Sequence, residues 1–399
     1  MMQKFILGVN YWPRKKGIFW WKYFDAQEVK REFDQIKSIG LDTVRIFLLW
    51  EDFQPKADKV NQEAIANLIS VFRIAQKRTL KILLTLLVGH MSGENWAPTW
   101  LTKKTTNRKN PFSVIVSGKR TRFGIRNIYQ DKKILAASSL LIKTIVYSVK
   151  NEKALLGYDL ANEIDNFLKP TNRKQANKWV NFIVKKIREI DKVHPITLGL
   201  HLKNIEAERG FWPQDLAKVC DFLSMHSYSL YAKWADNYLD GKVAGFTNTL
   251  IAKMSSAKVM HTEFGLCTTL NKSRQIKTII NGKVSKCYLV NENEARHYFA
   301  ASLKGLYENG ALGVMFWCYS DYDPILFNQP PFDRAIHERS FGLFRSNGQL
   351  KPYKDIIKEY QNLKVRQIPN PQKIDNQIYY NKPMEYLSKE NFLYNSSNL

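Results

Sequence analysis

The sequence predicts a single (β/α)8 TIM barrel with hairpin-like insertions in the loops after strands three and seven. Three observations carry that prediction. Short apolar runs alternate with stretches of helical periodicity along residues 5–363, the pattern of a parallel sheet covered by helices. Polar residues collect just after the apolar runs, where the strands of such a barrel end. The chain has 399 residues, 44% hydrophobic and 13% aromatic. That is enough to bury one large core, and too apolar for a disordered chain.

Residues 5–12 (FILGVNYW) read as the first strand, leaving Asn10, Tyr11 and Trp12 at its end. Val29, Phe33, Ile36 and Ile39 share one face of a helix over residues 26–39, which stops at Gly40. Residues 42–49 (DTVRIFLL) form a second buried strand interrupted only by Arg45. An arginine inside a β-branched run is either paired in the barrel interior or aimed at a nearby carboxylate. An amphipathic helix over 61–78 leads to the third strand, 80–88, which ends in Gly89-His90.

Residues 91–128 break the rhythm. Trp96 and Trp100 flank a proline, and SVIV, Ser117-Gly118 and KRTRF read as a hairpin. The basic residues from Lys103 to Arg126 are the densest positive cluster in the chain. A helix over 128–150 delivers the chain to LLGYDLANEID (155–165), a fourth strand ending in Asn162-Glu163.

A helix over 171–190 precedes the fifth strand, ITLGL, and residues 219–225 are the sixth, ending in His226-Ser227-Tyr228. The seventh, 258–262, carries Glu263. A second hairpin over 268–290 turns at Asn281-Gly282, and a helix follows over 291–309. Residues 312–318 are the eighth strand, exposing Trp317 and then Asp321 and Asp323. A helix over 352–363 closes the ring, so the barrel is assigned to 1–363. Residues 364–399 are polar and rich in Asn, Lys and Tyr, an extension packed on the barrel or fraying from it.

The net charge of +25 raises the question of a polyanionic partner. Lysines, however, are scattered over nearly every helical segment as solvated faces. No zinc-finger spacing, RNP-like aromatic motif or basic heptad region is present, so nucleic acid is not an expected partner. Cys220, Cys267, Cys287 and Cys318 show no metal-ligand spacing and are too few to suggest a disulfide framework. No cofactor or metal is expected. The first residues, MMQKFILGVNYW, lack a small-residue cleavage site, and no apolar run approaches a membrane span. A cytoplasmic location is expected, or secretion if a leader precedes this sequence. The sequence leaves the oligomeric state open.

The chemistry lies at the strand ends. A carboxylate at the tip of a buried strand, such as Glu163, is costly; burial lifts a carboxyl toward neutrality and lets it donate a proton. A lone Asn-Glu pair equally well caps the following loop. The second stretch, KVMHTEFG, has the same grammar, an apolar run ending in Glu263. Two strand-end glutamates are the minimum equipment for glycoside hydrolysis. The aromatic share, with 10 Trp, suits stacking on sugar faces.

Together these residues resemble glycoside hydrolase family 5, in the clan of (β/α)8 enzymes that carry two glutamates on strands four and seven. The resemblance spans residues 5–363. Arg45 falls on strand two and His90 ends strand three. Asn162 and Glu163 end strand four, His226 and Tyr228 strand six, Glu263 strand seven and Trp317 strand eight. A lone histidine is more often a satisfied core residue, and a lone tryptophan more often packing. The signal is the eight in register.

The resemblance implies a retaining β-glycosidase acting by double displacement, with Glu163 as acid/base, Glu263 as nucleophile, and the carboxyls about 5–5.5 Å apart. Arg45 and Tyr228 would favour the charged form of Glu263. Glu163, in less positive company, would keep its proton. Asn162 would bond the substrate 2-hydroxyl, Trp317 would floor the subsite of the attacked sugar, and Trp12, His90 and His226 are further substrate contacts.

The run FWCYSDYDPILFNQPPFDRAIHERSFGLFRSNGQLKP resembles the segment after strand eight in exo-acting β-mannosidases. Its Asp321, Asp323, Asp333, His337, Glu338 and Arg339 would ring the hydroxyls of the non-reducing end, or pair with one another as an ordinary polar loop. The expected substrate is therefore an oligosaccharide or polysaccharide, cleaved by exo action on β-mannosides or short β-linked oligosaccharides. An endo-β-1,4-mannanase or endo-glucanase is the alternative within the family. A non-catalytic carbohydrate- or polyanion-binding barrel is the alternative from another class.

Overall fold

The apolar runs become strands because each is buried on both faces, and one split run closes them into a ring. The computed structural model describes residues 3–105, 110–369 and 372–388. Its barrel strands are β1 (Ile6–Asn10), β2 (Thr43–Leu49), β3 (Lys81–Val88) and β4 (Leu155–Asp159). There follow β5 in two pieces (Ile196–Thr197 and Gly199–His201), β6 (Leu223–His226), β7 (Val259–Phe264) and β8 (Gly313–Phe316). All neighbours pair in parallel. The first piece of β5 pairs with β4 and the second with β6. Only Leu198 separates the pieces, so the row β5-β4-β3-β2-β1-β8-β7-β6-β5 returns on itself. Closure leaves no free sheet edge.

Helices cover the outside: α1 (Ala26–Ser38), α2 (Gln62–Lys77), α3 (Lys132–Val149), α4 (Arg173–Arg188), α5 (Pro213–Leu216), α6 (Lys242–Ser255), α7 (Glu292–Glu308) and α8 (Lys354–Glu359). Asp25, Asn61, Asp131, Asn172 and Asn291 open their helices with a side-chain oxygen on the first free amides. The fifth crossover departs from the regular pattern. Gly210 and Pro213 interrupt any 3.6-residue period there, so α5 is a single turn. A short helix, Leu202–Glu206, sits directly on the end of β5.

The C-terminal extension packs beside this thin crossover, as helices Asn376–Asn381 and Pro383–Leu387. Tyr379 and Tyr380 donate to the carbonyls of Ile205 and Asn204 at 2.6 and 2.7 Å, and Asn376 donates to Met254 O at 2.7 Å. Residues 370–371 and 389–399 of the extension lie outside the described residues.

Both insertions are hairpins. Ser113–Val116 pairs with Lys119–Thr121, and Arg274–Ile280 with Lys283–Asn291, both antiparallel. Their turns, Ser117-Gly118 and Asn281-Gly282, place both residues at positive φ, the demand that selects Asn-Gly in two-residue hairpins. The insertions also touch: a Cβ on Gly282 would lie 2.0 Å from Pro111 O. The basic cluster noted in the sequence is partly neutralised. Arg120 pairs with Glu94 and Asp333, and Arg126 with Asp131; Arg108 and Lys109 lie outside the described residues. Among the described residues no helix is long and apolar enough to cross a membrane.

Candidate active site

Parallel strands point their C-terminal ends the same way, so β2, β4, β6 and β7 deliver their polar residues to one mouth. Arg45, fully buried on β2, organises the floor. Its guanidinium donates to Asp159 at 2.7 and 3.1 Å, Thr85 at 3.0 Å, Asn10 at 3.1 Å and Asn162 at 2.9 Å. Its Nη1 donates to Glu263 Oε1 at 2.5 Å. Tyr228 completes the grip, donating to Glu263 Oε2 at 2.8 Å. Burial and the Glu263 charge push the Tyr228 hydroxyl well above its usual range, so it stays a donor. Arg45 is thus both paired in the barrel interior and aimed at the strand-seven glutamate, which merges the two readings of its position.

Glu163 sits just beyond β4 with φ 42° and ψ 50°, a left-handed backbone that is costly for a residue other than glycine. Asn166 holds that turn, its N–H donating to Glu163 O and its side chain to Glu163 Oε2, both at 2.8 Å. The twist aims the carboxyl across the mouth at Glu263. His226 Nδ1 stands between them, 3.0 Å from Glu163 Oε1 and 3.6 Å from Glu263 Oε1. Its ring fits because residue 199 is glycine: a Cβ there would lie 3.0 Å from His226 Cε1. Asn162 donates to His90 O at 3.0 Å while accepting from Arg45. His90 Nδ1 is 2.7 Å from Asn95 Oδ1, and burial pushes this imidazole down to about 4.

Glu163 has closer polar company than the sequence suggests, since the imidazoles of His201, His226 and His90 all face it. Burial alone would raise its carboxyl, but the imidazoles outweigh that and the net direction is down.

Glu163, Glu263, His90, Asn162, His226, Tyr228, Trp317, His337 and Glu338 line one cavity of about 550 Å³. The second hairpin contributes Ile279, Ile280 and Asn281, the loop after β3 Met91–Gly93, and the C-terminal extension Met384. Glu338 is buried with Oε2 unpartnered. Burial, with Glu263 and Glu163 adding to it, pushes its carboxyl up to about 7.

Several residues expected at the site are elsewhere. Asp321 accepts from Lys351 at 2.7 Å and from the Gly342 N–H at 2.8 Å, as the counter-ion of a fully buried lysine. Asp323 caps the 3-10 turn Pro324–Leu326, Asp333 pairs with Arg120, and Arg339 donates to the Phe332 and Phe327 carbonyls. Trp12 stacks at 5.0 Å on Phe47, whose ring in turn meets Trp317 edge-on, and Trp12 is not among the residues lining the cavity.

In the opposite direction, the sequence reading missed His201, Lys203, Glu206 and Met384. The signal for His201 was available, since it ends the fifth strand just as His226 ends the sixth.

Glu163, His226 and Glu263 are the one group among the described residues whose ligand atoms all lie within 4.8 Å of one another in a metal-like cluster. Arg45 already stands where a cation would meet Glu263, so the set behaves as a carboxylate pair with a protein counter-ion. A carboxylate pair this close, one member pinned and the other opposite it across a cavity, can attack an anomeric carbon and protonate its leaving oxygen.

The family model described as cellulase (glycosyl hydrolase family 5) matches residues 8–323. No curated protein matches the sequence. Among solved structures, a GH5_18 protein from Streptomyces cattleya in complex with GlcNAc superposes with TM-score 0.74 at 20% identity, over 93% of this chain and 86% of that one. A variant of GH5_18 from the same organism, in complex with Manb1-4GlcNAc, gives 0.73 at 20%, over 92% and 83%. The exo-beta-1,4-mannosidase Op5Man5 from Opitutaceae bacterium strain TAV5 gives 0.72 at 23%, over 90% of this chain and 59% of that one. These likenesses establish a shared barrel.

Proposed function

The chain belongs to glycosyl hydrolase family 5, and from that membership we propose that it is a retaining β-glycosidase that removes terminal β-mannosyl units from short β-linked oligosaccharides. The observation that carries the reading is the carboxylate pair, with an oxygen of Glu163 and one of Glu263 within 4.8 Å. Inverting enzymes hold their carboxyls roughly 6.5–9.5 Å apart to admit a water between them, whereas retaining enzymes hold them about 5–5.5 Å apart.

The roles follow from the partners. Glu263, fixed through both oxygens by Arg45 and Tyr228, attacks the anomeric carbon. Glu163 passes a proton to the departing oxygen, and then takes one from the water that releases the glycosyl-enzyme. Asn162, with one amide hydrogen on His90 O, keeps a second for the substrate 2-hydroxyl. Trp317 supplies an apolar face to the sugar.

Exo action is favoured by the walls. The 279–281 hairpin tip, residues 91–93 and Met384 all line the cavity, which supports a walled site for a chain end. The buried, unpartnered Glu338 oxygen suits hydroxyls that an internal sugar would present as linkages. The mannose assignment draws on the solved structures, one named an exo-beta-1,4-mannosidase and one holding Manb1-4GlcNAc.

Proton NMR of the first product from an aryl β-mannoside tests the reading. A β-configured sugar should form first and then mutarotate; an α sugar formed first would end it.

A further inference from the structure

We infer that His201 and Asp165 are a positioning pair for the acid/base step: Asp165 fixes the imidazole, and the imidazole biases Glu163 toward its charged form. The inference rests on the glycosidase reading and adds to it two residues outside the strand-end set.

His201 ends β5, next to β4 around the ring. Its Nδ1 lies 3.8 Å from Glu163 Oε2, and its Nε2 lies 3.0 and 3.1 Å from the two oxygens of Asp165. Asp165 is only two residues beyond Glu163. The left-handed turn at Glu163 lets the two carboxylates flank opposite edges of one ring. Asp165 is itself held by Arg209 and by Asn204 Nδ2 at 3.3 Å, and the His201 N–H donates to Asn204 Oδ1 at 2.9 Å. The imidazole is therefore fixed by both its main chain and its side chain, and it is buried.

Other groups face Glu163 as well: His90 from the loop after β3, Lys203 beside His201, His226 and Tyr231 from the β6 end, and Glu338 from the loop after β8, with Glu263 across His226. What singles out His201 is its backing. His90 leans on the neutral amide of Asn95, and His226 Nε2 has no hydrogen-bond partner among the described residues. His201 alone of these three is backed by a carboxylate, so its ring lies between the carboxylates of Asp165 and Glu163.

A positive neighbour at this range favours the carboxylate form of an acid. When Glu163 gives its proton to the leaving oxygen, its O–H bond breaks and the new carboxylate meets a charge already in place. In the second half-reaction the same oxygen accepts the proton of the attacking water. Proton gain and loss balance, and no other reactant is needed.

The test is the pH dependence of kcat/KM for a β-mannoside with a poor leaving group. Its alkaline limb reports loss of the Glu163 proton. Removing a positive neighbour lets Glu163 keep its proton to higher pH, so in His201→Asn that limb should move up by about one to three pH units. Asp165→Asn should move it in the same direction. A limb that stays in place while the amplitude falls would reduce the pair to a buried polar cluster joining two loops.

Should neither variant fold, carbon NMR of the unmodified protein, labelled at its glutamate carboxyls, decides the matter. The Glu163 resonance is assigned by its loss in Glu163→Gln. Titration below the ordinary glutamate range together with a His201 ring that is protonated over the same pH range in a nitrogen-correlated spectrum supports the inference; titration at or above that range, or a neutral His201, overturns it. Failure of the glycosidase reading would look different: the wild-type protein would hydrolyse none of a panel of aryl β-glycosides.

Discussion

Arg45 and Glu263 are 218 residues apart in the chain and 2.5 Å apart in the barrel, with Arg45 Nη1 donating to Glu263 Oε1. Arg45 also serves Asp159, so two carboxylates depend on one buried cation. Removing one partner of a buried ion pair leaves an uncompensated charge and costs about 3–5 kcal/mol. Arg45→Met should therefore lose stability on that scale in chemical denaturation and lose hydrolysis with it. Arg45→Lys should keep more stability than activity, because an ammonium cannot reach Glu263, Asp159 and Asn162 in one plane.

The two glutamates should respond differently to truncation. Glu263→Ala should abolish turnover, and azide should restore it only as the inverted α-glycosyl azide. Glu163→Ala should spare substrates whose leaving groups need no proton, and azide should give the retained product. Chromatography of the azide products reads both outcomes, and the opposite pairing would exchange the roles.

Much of this was legible in the sequence. Most strand ends carried a polar residue directly after an apolar run, and the resemblance to family 5 put Arg45, Asn162-Glu163, His226, Tyr228, Glu263 and Trp317 around a common mouth. The Asn-Gly and Ser-Gly turns gave both hairpins. Partner choice was less legible. Asp321 looks like a ligand until Lys351, thirty residues on, turns out to be buried beside it. Asp165 follows Glu163 so closely that only the left-handed turn reveals it to face the other edge of His201. Met384 belongs to a polar tail whose route over the thin fifth crossover no local pattern encodes.

Glu338 should trade stability for recognition. Its carboxyl, raised by burial to about 7 in the folded protein, is favourable when protonated and costs stability as pH rises from its unfolded value toward 7. Glu338→Gln should thus stabilise the empty protein more at pH 8 than at pH 5, by roughly 3 kcal/mol at most. Glu338→Ala should cut hydrolysis of an aryl β-mannoside about tenfold or more, the scale of one charged hydrogen bond. Thermal melts at both pH values and initial rates check the two halves.

Asp321→Asn should behave as a stability variant. It strips a fully buried Lys351 of its carboxylate, at a cost of about 3–5 kcal/mol. A KM change without loss of stability would instead return Asp321 to the substrate site.

Pocket geometry makes a prediction about products. Mannooligosaccharides should shorten one sugar at a time from the non-reducing end, and polymeric mannan should lose little viscosity. Rapid viscosity loss with mixed oligomers would point to endo action.

The most direct measurement is trapping of the glycosyl-enzyme with an activated 2-deoxy-2-fluoro-β-mannoside, followed by peptide mapping in a mass spectrometer. The fluorine slows both half-reactions, and the activated leaving group lets the first outrun the second. One fluoroglycosyl unit should be found on the peptide carrying Glu263, attached at that residue. An adduct on Glu163, or turnover of the reagent with an inverted product and no adduct, would contradict the double displacement built on Glu263.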